Sequence, residues 1–171
     1  MANVQPIRSP QGETEASARV NLAALYRLAD HYGWSDLIYN HISARVPGEA
    51  AFLVKAHAVM FDEVTASNLM KVKLDGSNMD AKGFVGDRRI NRAGFTIHSA
   101  IHEARADAHF VMHLHTVAGV GVAAQKEGLL PIGQNACLLQ HQVAYHGYEG
   151  LALNPDEKVR LVADLGDKPL M

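Results

Sequence analysis

His113 and His115, one residue apart within Phe110-Val-Met-His-Leu-His-Thr116, are the side chains of this sequence best spaced for chemistry. On a β-strand, residues i and i+2 point to one face, so both imidazoles can close on a single metal ion. Phe110, Met112 and Leu114 are then expected to fill the opposite face. A third ligand would complete an open site in which a divalent metal polarises a substrate oxygen. The chain holds ten histidines in 171 residues, and about half a His-x-His triplet is expected from that number by chance. The spacing alone therefore leaves a purely structural pair open.

Two further groups carry chemistry. His98 and His102 are spaced i, i+4 on a helical pattern, another chelating interval. Ser99 follows His98, so this is not a His-Glu-x-x-His motif, and the expected arrangement has one ring near the sheet and the other in solvent. Asp36, Asn40, His41 and Ser43 cluster on the first strand region, where they either line a pocket for an anionic or hydroxylated substrate or serve ordinary turn chemistry. Asn40, His41 and Ser43 are the candidate substrate-binding residues. Gly119-Val-Gly121 lacks the third glycine and the downstream acidic residue of a dinucleotide fingerprint, and no nucleophile elbow or Walker loop is present. A nicotinamide enzyme is excluded on that ground.

The elements that position these groups follow from periodicity. Residues 14–32 predict an amphipathic helix with Leu22, Leu25, Leu28, Ala29 and Tyr32 inward, Thr14 as cap and Gly33 as stop. Asp36–Val46 reads as a strand, Pro47-Gly48 as a turn and Ala51–Lys55 as the hairpin partner. A helical turn over 65–70 and a strand from Lys71 to Leu74 follow. A second helix begins near Asn91 with Ile97, Ala100, Ile101 and Ala104 as its buried stripe. A third starts at Thr116, directly after the histidine strand, and runs to Gly128. Two short strands are expected between 129 and 150, and Asn154-Pro-Asp-Glu157 has the form of a capping box for a last helix that Gly166 ends. Lys168–Met171 reads as the start of another strand. Short turns between the early strands predict a mixed α/β domain with a partly antiparallel sheet.

Bulk properties agree with one domain. The chain is 48% hydrophobic and 20% charged, with sixteen basic and eighteen acidic residues, so no positive field is available to hold nucleic acid or an anionic membrane. Cys137 is the only cysteine, which excludes intrachain disulfides and cysteine-based zinc clusters and makes a reducing, cytoplasmic setting the expectation. Residues 1–13 read as a flexible arm without the apolar core of a secretion signal, and no run is long enough to span a bilayer.

A series of motifs then carries a resemblance. Tyr39-Asn-His-Ile-Ser-Ala-Arg45, Phe61-Asp-Glu-Val-Thr-Ala-Ser67, Asn91-Arg-Ala-Gly-Phe-Thr-Ile-His-Ser-Ala-Ile101 and His113-Leu-His-Thr-Val-Ala-Gly119 are joined by Gly128-Leu-Leu-Pro131 and Val143-Ala-Tyr-His-Gly-Tyr-Glu-Gly150. In that order they resemble the class II aldolase/adducin family, nearest its adducin-like branch, over residues 14–171. The resemblance implies a three-layer α/β/α sandwich around a mixed, mostly antiparallel sheet, here with its last strands missing, and a homotetramer with sites between subunits. It implies a divalent metal, zinc first and manganese second, on three histidines of which His113 and His115 are two. The third belongs to an Asn-His-Gly segment after the last helix, so the chain is expected to be truncated, its metal binding weak and its catalysis lost if only two histidines bind. The family's acid/base glutamate falls at Gly94, which cannot move a proton, so a base has to come from His98, His41 or a metal-bound water. The implied function is a metal-dependent lyase of aldolase, epimerase or decarboxylase type acting on a small oxygenated substrate. The rival is a non-catalytic adducin-head-like module for oligomerisation, with the actin cytoskeleton as partner.

Overall fold

The computed structural model describes residues 13–171, so the arm expected over residues 1–13 lies outside the described residues apart from Glu13. Helix α1 (Glu15–His31) begins where the sequence demands it. The Thr14 side chain accepts from Ser17 N while Ser17 Oγ accepts from Thr14 N, a reciprocal cap. Its buried stripe is Ala18, Leu22, Ala23, Tyr26 and Ala29, and the expected inward residues Leu28 and Tyr32 are 51% and 61% exposed. Tyr26 sets this rotation. Its hydroxyl accepts from Ile42 N at 2.8 Å and donates to Ile42 O, tying the helix to the sheet.

The main sheet has four strands in the order β3-β2-β1-β6, every neighbouring pair antiparallel: β1 (His41–Arg45), β2 (Ala51–Val54), β3 (Met70–Lys73) and β6 (Phe110–His113). A small hairpin, β4 (Phe84–Val85) with β5 (Arg88–Arg89), lies between them in sequence. The first strand starts only at His41, because Asp36–Asn40 is used as a turn in which Tyr39 N donates to Asp36 O. At the helical turn expected over 65–70 the chain makes a single turn, in which Asn68 N donates to Thr65 O and Asn68 Oδ1 accepts from Thr65 N.

Alternation along β1 separates two environments. Ile42 and Ala44 join Leu53, Phe61, Val64 and the α1 stripe in one core. His41, Ser43 and Arg45 face the other way, toward α2 (Arg92–Ala104), beside a second core of Phe52, Val54, Val72 and Ile90. Helix α2 therefore covers a polar strip of the sheet. Its buried residues are Gly94, Thr96, His98, Ser99, Ala100 and His102. Of the expected stripe only Ala100 is buried, and neither histidine faces solvent. Hydrogen-bonding partners on the sheet, rather than apolar periodicity, choose the buried face.

Beyond α2 the chain is loosely covered. Phe110 and Met112, expected to fill the face opposite the histidines, are 38% and 39% exposed on the outermost strand of the described sheet; Leu114 alone of the three packs against the first core. Helix α3 (Val117–Ala123) has Thr116 as its cap but ends well short of Gly128. In place of two strands, α4 (Gln134–Leu139) and a 3-10 turn (Gln140–Gln142) follow, since Gln-Asn-Ala-Cys-Leu-Leu contains no β-branched residue and several good helix formers. Helix α5 (Glu157–Leu165) packs on α2, and Asn154 accepts from Asp156 N in a turn leading into the helix rather than capping it. The predicted C-terminal strand is represented by an isolated parallel bridge between Leu170 and Val143. With α1 on one face and α2 on the other, the described chain is a three-layer α/β/α domain.

Candidate metal centre and histidine network

Register brings the site together. Antiparallel pairing of β1 and β6 sets His41 directly opposite His113, and their rings stack with centroids 4.7 Å apart at 16°. His115 lies just past the end of β6, and its Nε2 stands 2.9 Å from His113 Nε2. On its far side, His115 Nδ1 donates to Asp36 Oδ2 at 2.9 Å. Because a carboxylate only accepts, Nδ1 carries a proton, which leaves Nε2 as the nitrogen turned toward His113; one proton shared between the two Nε2 atoms closes that contact, and a metal would take its place. Asp36 reaches this position because the turn before β1 holds it there.

Behind the outer pair lies a buried network. His41 Nδ1 is 2.7 Å from His98 Nε2, His98 Nδ1 meets Ser43 Oγ, and Ser43 Oγ is 2.8 Å from His102 Nε2. His102 Nδ1 ends the series on Ala108 O at 3.1 Å. Burial strips these rings of water and disfavours their charged forms. It pushes His41 down to about 3, with His113 and Lys55 adding repulsion; it pushes His102 down to about 4, with Arg45 adding to it. Burial first, then His41 and His102, also lowers His98. Burial and His115 together bring His113 to about 4.

The three candidate substrate-binding residues divide. Asn40 and His41 border a cleft of about 10 Å³ that Lys55, His57, Asn91 and Gly94 also line, roughly the volume of one water. Asn40 Nδ2 is buried there without a hydrogen-bond partner. Ser43 is as buried as Asn40, but it does not border the cleft and its hydroxyl is engaged by two histidines, so it braces the network. Lys55 and His57 were not singled out from the sequence. A lysine ending the apolar run Phe52-Leu-Val-Lys55 was the available signal, and burial lowers its ammonium to about 8. His57 also borders an open groove of about 560 Å³ beside Arg88 and Arg89.

Position 94 explains itself sterically. A Cβ there would lie 2.9 Å from His41 Cδ2 and 3.0 Å from its Nε2. The His41 ring occupies the room a side chain at 94 would need.

Comparison with known proteins decides the lineage. Residues 20–171 match the family described as Class II Aldolase and Adducin N-terminal domain. This chain belongs to that family. A class 2 aldolase-type protein of Caulobacter vibrioides is 53% identical over 96% of this chain and 63% of its own length. Rat alpha-adducin is 48% identical over 90% of this chain and 21% of its own. Among solved structures, an aldolase II superfamily protein from Pseudomonas syringae matches with a TM-score of 0.82 at 55% identity, over 94% of this chain and 63% of that one. L-fuculose 1-phosphate aldolase from Glaciozyma antarctica matches at 0.75 and 26%, with the same shares covered. The chain thus spans under two thirds of the length of the bacterial class II aldolase relatives it matches.

As a member of this family the chain has a donor set that fits a divalent ion in part. Two imidazole nitrogens converge and a carboxylate orients one of them. Among the described residues, no group of three His, Cys, Asp or Glu is arranged to hold a metal.

Proposed function

We propose that this class II aldolase-family domain derives from a divalent-metal-dependent lyase of aldolase, epimerase or decarboxylase type that acts on a small oxygenated substrate. The observation that carries the reading is the meeting of His113 Nε2 and His115 Nε2 at 2.9 Å, with Asp36 on the far nitrogen of His115. These two histidines are the ligands; among the described residues no third His, Cys, Asp or Glu is arranged to complete the set. Zinc is the first candidate and manganese the second. Such a metal supplies Lewis-acid stabilisation of charge that develops on a substrate oxygen.

The remaining residues bind and orient. Asn40 Nδ2 has a free donor for a substrate oxygen, and the Lys55 ammonium gives the cleft a positive potential suited to a carboxylated or otherwise oxygen-rich molecule, while burial and Lys55 favour the neutral ring of His57. Assembly into a homo-oligomer in a reducing cytoplasm belongs to the same reading. It is supported by the exposure of Ile132 at 83% and Tyr148 at 90%, and among the described residues no helix is long and apolar enough to cross a membrane.

Equilibrium dialysis of the 171-residue chain against zinc and against manganese tests the ligand assignment. Retention that disappears in His113→Ala and His115→Ala supports it; no retention, or equal retention by the variants, overturns it. The second reading is a non-catalytic adducin-head-like module, which the 48% identity to alpha-adducin and the absent side chain at Gly94 favour. Turnover of any hydroxy-acid or sugar-phosphate in a metal-supplemented screen would exclude that module.

A further inference from the structure

Hydrogen bonds within the buried network have only one consistent direction. Ala108 O can only accept, so His102 Nδ1 carries a proton. Burial keeps His102 neutral, which leaves its Nε2 a bare acceptor for the Ser43 hydroxyl at 2.8 Å. Ser43 has a single proton; having given it to His102, its oxygen can only accept from His98 Nδ1. His98, also neutral, then has a bare Nε2, which accepts from His41 Nδ1 at 2.7 Å. The remaining nitrogen, His41 Nε2, holds a lone pair and makes no hydrogen bond to any described residue. Reversing the series would require a backbone carbonyl to donate.

That lone pair has a specific location. His41 Nε2 lies 3.0 Å from where a Cβ at position 94 would stand, on the cleft shared with Asn40 and Lys55. We propose that Ser43, His98 and His102 are positioning residues that lock His41 in its Nδ1–H tautomer, so that His41 Nε2 is the acceptor this site presents to a substrate hydroxyl. The role that Gly94 has no side chain to fill thereby passes to a ring packed into the same space. The substrate hydroxyl rests on the lyase reading above; the tautomer does not. Free imidazole side chains favour Nε2–H, so three buried rings all in the Nδ1–H form are a distinctive signature.

Long-range proton–nitrogen correlation spectra of the metal-free, 15N-histidine-labelled chain at pH 7 read each tautomer directly, with signals assigned by His41→Gln, His98→Gln and His102→Gln. His41, His98 and His102 are expected as neutral Nδ1–H rings. His41 found as Nε2–H or as imidazolium overturns the proposal. Ser43→Ala removes the acceptor for His98, so His98 and His41 should show mixed tautomers while His102, held by Ala108 O, keeps its own; Ser43→Thr should restore the pattern. Unchanged His98 and His41 signals in folded Ser43→Ala protein would overturn the relay, and if that variant does not fold the unsubstituted chain decides. For the acceptor role, glycolate is expected to shift His41 Nε2 and acetate, lacking the hydroxyl, to leave it in place; equal responses overturn that role. A chain that turns over no substrate yet gives these spectra would defeat the lyase reading alone.

Discussion

His98 and His102 on α2, and His113 and His115 at the end of β6, are both spaced as chelating pairs, yet the protein uses them oppositely. Each ring of the inner pair is 1% exposed and both its nitrogens are committed to the network. The outer pair turns two Nε2 atoms toward each other at 2.9 Å and anchors His115 through its other nitrogen on Asp36. What separates them is the surface each opposes. Helix α2 lies over Ser43 and His41, which with Ala108 O take up every ring nitrogen of its histidines. The outer pair sits at the margin of the sheet, where no buried partner takes up the Nε2 atoms. A ligand pair is told from a structural pair by what its nitrogens meet, and spacing does not contain that.

Acid has the largest expected effect, and it acts mainly through the inner network, with His113, also lowered to about 4, as the outer pair's share. His41 and His102 are held at about 3 and about 4 by burial, and His98 is lowered as well. In the unfolded chain these rings titrate near about 6.5. Below that pH the unfolded state takes up protons that the folded state refuses, so stability falls as pH drops through the window from about 6.5 to about 4. The slope approaches about 1.4 kcal/mol per pH unit for each such histidine. Urea midpoints of metal-free protein should therefore fall steeply across that window. A flat profile would mean that the inner rings are solvated and the contrast is lost.

Single substitutions come next. His98→Ala leaves His41 Nδ1 without its partner, removes one of the two histidines on Ser43 Oγ and opens a cavity, at a cost of about 3–5 kcal/mol. His113→Ala, at the sheet margin, should cost about 1 kcal/mol while abolishing zinc retention. Denaturant midpoints measured beside zinc dialysis check both, and equal stability losses would break the comparison. A smaller effect is expected at the contact between α2 and the inner network. Gly94→Ala drives a Cβ to within 2.9–3.1 Å of His41 ring atoms, an overpacking that costs about 1–3 kcal/mol. In a His41→Ala background the same change should be nearly neutral, and a double-mutant cycle without that coupling would show that the His41 ring does not fill the space at 94.

Much of this arrangement was legible from residue types. Thr14, Asn91, Thr116, Gly33 and Gly166 mark their helix ends because capping and positive φ are local properties. The pairing of His113 with His115 followed from strand alternation and the motif series. The buried face of α2 was not legible, because a periodicity rule built on Ile97, Ala100, Ile101 and Ala104 leaves room for only one of His98 and His102 near the sheet and cannot know that Ser43 and His41 wait across it. For the same reason Ser43 read as a substrate contact when it is a sealed brace. Phe110 and Met112 were expected to fill the face opposite the histidines, yet both are exposed, because burial depends on what packs over an edge strand, which the strand itself does not encode.

Asp36→Asn is the finest probe of the outer pair. The amide oxygen can still accept from His115 Nδ1 at the present 2.9 Å, so ring orientation should persist, and the solvent-exposed change should move stability by no more than about 0.5 kcal/mol. What disappears is the negative charge that makes His115 Nε2 a better donor to a cation. Losing such an orienting carboxylate weakens metal affinity by about 10–100-fold, so zinc titrations should show a loss within that range, and Ser43→Ala should show none. If Asp36→Asn instead left zinc binding intact, His115 would not be working through Nε2, and the outer pair would be as structural as the inner one.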